Sequence, residues 1–422
     1  MDKKYTLEYA KELDRTDELR TFRDAFHVED PALVYLDGNS LGRTPKRAFN
    51  IVQEHAKDKW GNRLVRAWGE GWMMLSERIG DKIAGLIGAE TGEVVVADST
   101  SVNLFKLAAA ALADHPERTE IVTDELNFPS DLYILQGLVK LFGNKHTIRV
   151  VKSEDGLTIS TAAIARELND KTALVALTAT AFKSGFNYNI EAITKLAHEK
   201  GAYALWDLSH SVGAVPIDLK AANVDLAIGC TYKYLNGGPG APAFLYVRKD
   251  LQSRLSNPIA GWFGHGNQFD FELEYKPADS IRKFLTGTPS ILSLAAIEAG
   301  VDLIHEAGIQ KLRAKSVQQS EYFIELFEHA LKPLGVVLRS PRDVRERGSH
   351  VSLGHPEGYR IDQALIQEMQ VIPDFRNPDN MRFGFTPLYT TYEEIFKAIE
   401  ALRHILEHKT YEQYSSERVI VT

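Results

Sequence analysis

The chain predicts an α/β fold, a mostly parallel sheet of seven strands sandwiched by helices, with a smaller α+β domain at the C-terminal end. Three observations support this. Between about residues 80 and 250, short apolar runs alternate with helix-periodic stretches, the pattern of stacked βαβ units. From PSILSLAAIEAGVDLIHEAG onward the pattern changes to long helices, followed by short strands around SHVSLGH and MRFGFTP. Finally, 422 residues exceed the roughly 250–300 that one hydrophobic core usually holds.

Taken in order, the opening MDKKYTLEYAKELDRTDELRTFRDAF is charged and helix-periodic. It lacks the apolar segment of a secretory signal, so a cytoplasmic protein is expected. This helix and the run ALVYLDGNSLG form an arm over residues 1–55 that is expected to pack on the small domain. A large domain then covers 56–295. Its candidate strands are EVVVAD, EIVTD, TIRVVK, ALVALT, AYALWD, DLAIGC and APAFLYV. Amphipathic stretches such as VNLFKLAAAALADH and NIEAITKLAHEKG lie between them, the second closed by Gly201 as a helix C-cap. Residues 296–422 form the small domain.

Composition narrows the function. Hydrophobic residues at 44% and charged residues at 25% are the balance of a globular enzyme. A net charge of -8 with scattered Lys and Arg gives no face for nucleic acid. No apolar run approaches the roughly 20 residues needed to span a bilayer. Cys230, the single cysteine, excludes an internal disulfide and reads as a small buried strand residue. No Cys, His and carboxylate cluster has metal-ligand spacing, so no metal is expected. NGGPGAP lacks the Gly-Lys-Ser/Thr ending of a P-loop, and its glycines read as letting backbone pass close to a ligand.

The chemistry concentrates at two strand ends. AYALW delivers Asp207 and DLAIGC delivers Lys233, so that both face one crevice at the sheet edge. An amine that can form a Schiff base, opposite an acid that can keep a pyridine nitrogen protonated, suggests pyridoxal phosphate. Singly, each has a bland reading, Lys233 as a solvated lysine and Asp207 as a helix cap. Ser99, Thr100 and Ser101 lie between a strand and a helix start, where a phosphate would sit or where one of them simply caps. Phe128 could cover a flat heteroaromatic ring or belong to the core, and Asp131 falls at the same edge. Arg382 in RFGFTPLYT offers a fork of donors for the carboxylate of an amino-acid substrate. Its alternative is a surface ion pair with Asp374 or Asp379.

With YLDGNSLG, WGNRLVRAW, NFPSDLY, WDLSHSVGAVP, CTYKYLNGGPG, GWFGH, SHVSLGHPEGY and RFGFTPLYT in order over about residues 30–410, the chain resembles the kynureninases, particularly the bacterial form. The resemblance implies the aspartate aminotransferase-like fold type I and pyridoxal 5'-phosphate. It also implies hydrolysis of L-kynurenine to anthranilate and L-alanine in tryptophan catabolism, with 3-hydroxykynurenine open as a second substrate. It makes Lys233 the Schiff-base lysine, Asp207 the pyridine-nitrogen partner and Phe128 the ring-stacking residue. Thr100, Ser101, Asp131, Thr178, His210 and Tyr232 fall where the family binds cofactor. Trp262 and Thr288 match positions that serve the phosphate end from a neighbouring subunit, which implies a homodimer with shared sites. Arg382 matches the substrate-carboxylate anchor and Trp68 a substrate-binding tryptophan, while Tyr232 is a candidate proton relay beside the lysine. The chain departs from the bacterial pattern at Ala67, Ala179, Ala181 and Phe182, where a serine, a histidine, an asparagine and a tyrosine are common; such losses relax recognition of polar substituents. Two rivals stand beside this reading. One is another fold-type I lyase such as a cysteine desulfurase, which needs a mobile loop thiol that Cys230 does not offer. The other is a non-catalytic scaffold that keeps the cofactor fold.

Overall fold

The structure, a computed structural model, describes residues 3–417. All seven apolar runs form strands of one sheet. From edge to edge they are Val94–Val96, Phe244–Val247, Leu226–Gly229, Tyr203–Asp207, Thr172–Thr178, Glu120–Asp124 and Thr147–Val151. Phe244–Val247 runs antiparallel to both neighbours, and the remaining pairings are parallel.

Side-chain alternation gives the sheet two apolar faces. Tyr203 and Leu205 enter one core while Ala204 and Trp206 enter the other, and Leu174 and Ala176 part from Val175 and Leu177 in the same way. Both faces are therefore covered, which is why these strands read as continuous apolar runs rather than polar–apolar alternation. Helices Thr100–Asp114 and Pro129–Leu141 pack on one side; Leu75–Leu86, Ile190–Glu199 and Ile291–Ala307 contribute to the core of the other.

Beyond Gly308 lies an antiparallel sheet in the order Asp374–Arg376, Asn380–Gly384, His350–Gly354, Val337–Leu338. It shares an apolar core with helices Ile309–Ala330, Gly358–Met369 and Tyr392–His408. The division expected at residue 295 falls inside the continuous helix Ile291–Ala307, whose Leu294, Ala295, Ile297 and Val301 pack in the large-sheet core. We propose that the small domain begins at Gly308. The arm divides its contacts. Ala10, Val34 and Leu36 join the small-domain core, and Val34–Tyr35 pairs with Val371–Ile372. Asp14 accepts from the Tyr392 and Glu393 N–H groups at 2.8 and 2.9 Å, capping the last long helix. Helix Lys46–Gln53, by contrast, lies against Ile291–Ala307. Among the described residues no helix is long and apolar enough to cross a membrane.

Candidate active site

The parallel strands bring their C-terminal ends to one edge, and the polar side chains beyond those ends close a cavity of about 190 Å³. Asp207 is the last residue of its strand. Its Oδ1 accepts from the Ser209 N–H at 2.9 Å and the Ser209 hydroxyl at 2.6 Å. Burial pushes the carboxyl up, and the Ser209 bonds and the Lys233 ammonium pull it back toward the charged form.

Lys233 follows the neighbouring strand Leu226–Gly229 and enters the same cavity. Its Nζ lies 3.1 Å from His210 Nε2. Burial, then the charge on Lys233, holds the His210 imidazole well below its ordinary value, so the neutral ring accepts from the ammonium. Lys233 Nζ is 6.0 Å from the ring centre of Phe128 and 5.9 Å from that of Tyr232. Phe128 is held edge-on by Phe182 at 5.2 Å and 85°, yet remains 43% exposed. It is no core residue and presents its ring to the cavity. Asp131, in the first turn of Pro129–Leu141, is buried; desolvation and then Asp207 push its carboxyl well up.

At the other end Ser99 caps helix Thr100–Asp114, its Oγ accepting from the Val102 N–H at 3.4 Å. Capping by Ser99 leaves Thr100 and Ser101 in the first turn, where they line the cavity at the positive end of the helix dipole. They also line, with Tyr232, Gly240 and Thr288, an adjoining cavity of about 560 Å³. Gly240 of the glycine-rich loop thus lies on one cavity with the first turn of this helix. Burial, then Cys230 and Asp207, push the Tyr232 phenol up, opposite to the shift a proton relay wants.

Arg382 reaches the cavity from the small-domain strand Asn380–Gly384. Its ion-pair alternative is also realised, though in the interior rather than on the surface. Nε donates to Asp374 Oδ1 at 2.6 Å, Nη2 donates to Asp374 Oδ2 and to Ser40 Oγ, and Nη1 donates to the Phe182 carbonyl at 2.5 Å. Against the cost of burial, Arg382 and Arg376 hold the Asp374 carboxyl down at about 2. Asn39 and Ser40 complete the wall. Both sit inside the motif YLDGNSLG, but nothing in their spacing marked them, because the chain must thread between the domains before they meet the strand ends. Ser209, two positions past Asp207, was the more legible omission.

Four expected residues stand outside this cavity, Thr288 among them on the adjoining one. Thr178 pairs with Asp207 in register, and its hydroxyl donates to the Thr180 carbonyl at 3.0 Å, behind the carboxylate. Trp68 packs against Trp72 and Phe263, and Phe263 against Trp262, in a separate aromatic cluster. Trp262 is 44% exposed beside exposed Phe269 and Phe271. Of the departures, Ala67, Ala179 and Ala181 are buried and line neither cavity, whereas Phe182 braces Phe128 and its carbonyl holds Arg382. Cys230 is buried with its Sγ 3.7 Å from the Ser209 carbonyl, and burial pushes the thiol up.

Similarity to known proteins agrees with this geometry. The chain is 47% identical over 406 residues to a kynureninase of Pseudomonas fluorescens, covering 95% of each. The chain belongs to the kynureninase family. A kynureninase of Burkholderia pseudomallei strain K96243 is 42% identical over 412 residues, covering 96% of this chain and 97% of that one. The model of the kynureninase C-terminal domain matches residues 312–402, beginning just inside helix Ile309–Ala330. Among solved structures, an apo cysteine desulfurase of Thermococcus onnurineus NA1 superposes with TM-score 0.76 at 20% identity, over 89% of this chain and 95% of that one. A C-DES mutant with glycine covalently linked to its PLP cofactor gives TM-score 0.76 at 18% identity, over 91% and 97%. At that identity these structures speak to the fold, which is α/β fold type I as expected. The family relatives separate this chain from the desulfurases, in keeping with its buried, unactivated thiol.

Proposed function

We propose that this chain is a pyridoxal phosphate enzyme that hydrolyses the Cβ–Cγ bond of L-kynurenine, releasing anthranilate and L-alanine. The observation that carries the reading is the meeting of Lys233 and Asp207 in one cavity of a chain 47% identical to a named kynureninase. The donor set fits the cofactor. An amine, an acid held by two Ser209 bonds, an open phenylalanine ring and two hydroxyls at a helix N-terminus answer its aldehyde, ring nitrogen, ring face and phosphate. When bound, pyridoxal phosphate would supply an electron-withdrawing ring and an aldehyde reactive toward amines.

The protein's residues do the rest. Asp207 would hold the pyridine ring nitrogen, and Thr100 and Ser101 would hold the phosphate. His210, kept neutral by burial, orients Lys233 Nζ, which acts as the base at the substrate α-carbon. Tyr232 stays protonated and serves as a donor at the phosphate end; its raised pKa favours binding over relay. Arg382 faces the substrate α-carboxylate. Asp131, Thr178 and His210 complete the cofactor set.

The exposed Trp262 cluster and the position of Thr288 on the open adjoining cavity support a homodimer in which Trp68, Trp262 and Thr288 serve a shared site. The free thiol of Cys230 suits a reducing cytoplasm. The test is anthranilate fluorescence on adding L-kynurenine to the protein loaded with pyridoxal phosphate, paired with borohydride reduction and peptide mapping. Fluorescence and a label on Lys233 are expected; silence with kynurenine and its 3-hydroxy analogue, or a label elsewhere, removes the reading.

A further inference from the structure

The turn Asp37–Gly42 is wedged between the two domains. On one side the Gly42 N–H donates to the Tyr232 carbonyl at 2.8 Å, fastening the turn to the loop that carries Lys233. On the other, the Gly384 N–H donates to the Leu36 carbonyl at 2.6 Å, fastening it to the strand that carries Arg382. Asn39, at the tip, is fully buried and lines the cavity with Lys233, Ser40 and Arg382. Neither its Nδ2 nor its Oδ1 has a hydrogen-bond partner. A buried amide is seldom left so, because it has given up water without a replacement. The fit around it is close: a Cβ built on Gly384 would collide with Asn39 Oδ1, so this strand position must be glycine for the amide to sit there.

Arg382 shows what the amide is kept for. A guanidinium has five N–H groups. Four of them are engaged, two with Asp374, one with Ser40 and one with the Phe182 carbonyl. One Nη1 N–H remains, so Arg382 alone cannot grip a carboxylate at two points. Asn39 is the neighbouring cavity residue with both N–H groups unused. We propose that Asn39 is a substrate-binding residue whose side-chain amide shares the α-carboxylate of the amino-acid substrate with the remaining Arg382 N–H. This rests on the function proposed above and names the second donor at that site.

The holoenzyme is titrated with L-alanine and with L-alaninamide, which lacks the charged carboxylate, following the visible absorbance of bound pyridoxal phosphate. Asn39→Ala is expected to weaken L-alanine about tenfold or more, the loss for a hydrogen bond to a charged group, with little change for L-alaninamide. Asn39→Asp, which keeps the shape but offers like charge, should lose at least as much, and Gly384→Ala should reproduce the defect by displacing the amide. Unchanged L-alanine affinity in the Asn39 variants, or equal losses for both ligands, overturns the proposal. A wild-type protein that forms no anthranilate removes the assigned reaction, whereas loss of the alanine preference in Asn39→Ala still supports the carboxylate contact.

Discussion

The two halves of the cavity are built on different terms. The sheet-edge half, with Asp207, His210 and Lys233, has its polar groups already paired: Ser209 holds the acid and the neutral imidazole holds the amine. The small-domain half, with Asn39, Ser40 and Arg382, combines an arginine committed to Asp374 with an amide that has no partner. On the function proposed above, the first half would be ready for a cofactor before a substrate arrives, and the second would be finished by a ligand, as suits a group that comes and goes at each turnover. Cost follows the same line. Arg382 is ion-paired with Asp374 in the interior, whereas Lys233 bonds the neutral His210 ring and acts on buried Asp207 only through its charge, that acid keeping its two Ser209 bonds.

The sharpest way to break that contrast is Lys233→Ala. Turnover should fall by about 10²–10⁴-fold, the usual share of a positioned acid or base, with the thermal unfolding temperature lowered less than in Arg382→Ala, because Asp207 keeps its Ser209 bonds. A large loss of stability would mean that the sheet edge depends on the lysine.

Arg382→Ala should do the opposite and destabilise the fold by about 3–5 kcal/mol, because Asp374 would be left in the interior without its main partner. Denaturant unfolding measures this, and wild-type stability would show the pair to be dispensable.

His350 sharpens the comparison through pH. Burial, then the charge on Arg382, holds its imidazole down at about 3 from an ordinary 6.5. The folded state therefore resists the proton that the unfolded chain takes up. Its stabilising contribution is intact above about 6.5 and is lost as pH falls toward 3, by at most ~1.4 kcal/mol per pH unit. In His350→Gln the slope of unfolding free energy over that range should be one proton shallower; equal slopes would place the titration elsewhere.

The smallest effect is expected at Phe128→Leu. Losing the aromatic face should weaken pyridoxal phosphate binding by about 0.5–1.5 kcal/mol, read by equilibrium dialysis, with the Lys233 label retained.

The legibility of these halves differs for a physical reason. In a parallel sheet the side-chain period and the direction of the strands are written locally, so AYALWD and DLAIGC were enough to send Asp207 and Lys233 to one edge. Phe128 and Asp131 followed from the same rule. Arg382 was visible as a candidate, but its two readings, carboxylate anchor and ion pair with Asp374, were separated by no local signal, and the structure contains both the cavity position and the pair. The continuation of Ile291–Ala307 past the expected division was equally hidden, since an amphipathic stretch does not say which core its apolar face joins.

By itself, the sequence determined the α/β order, the seven strands, the amine and acid that meet in the candidate site, and the family. Those rest on periodicity and on motifs whose residues act close to where they stand in the chain. Only tertiary structure decided that the turn Asp37–Gly42 enters the cavity, that Asn39 lies there without a partner and that Arg382 is already held by Asp374. The first two depend on contacts between distant segments, as between Ser40 and Arg382, and the third on the register of two neighbouring antiparallel strands; no local rule of hydrophobicity or spacing encodes which backbone will close a pocket.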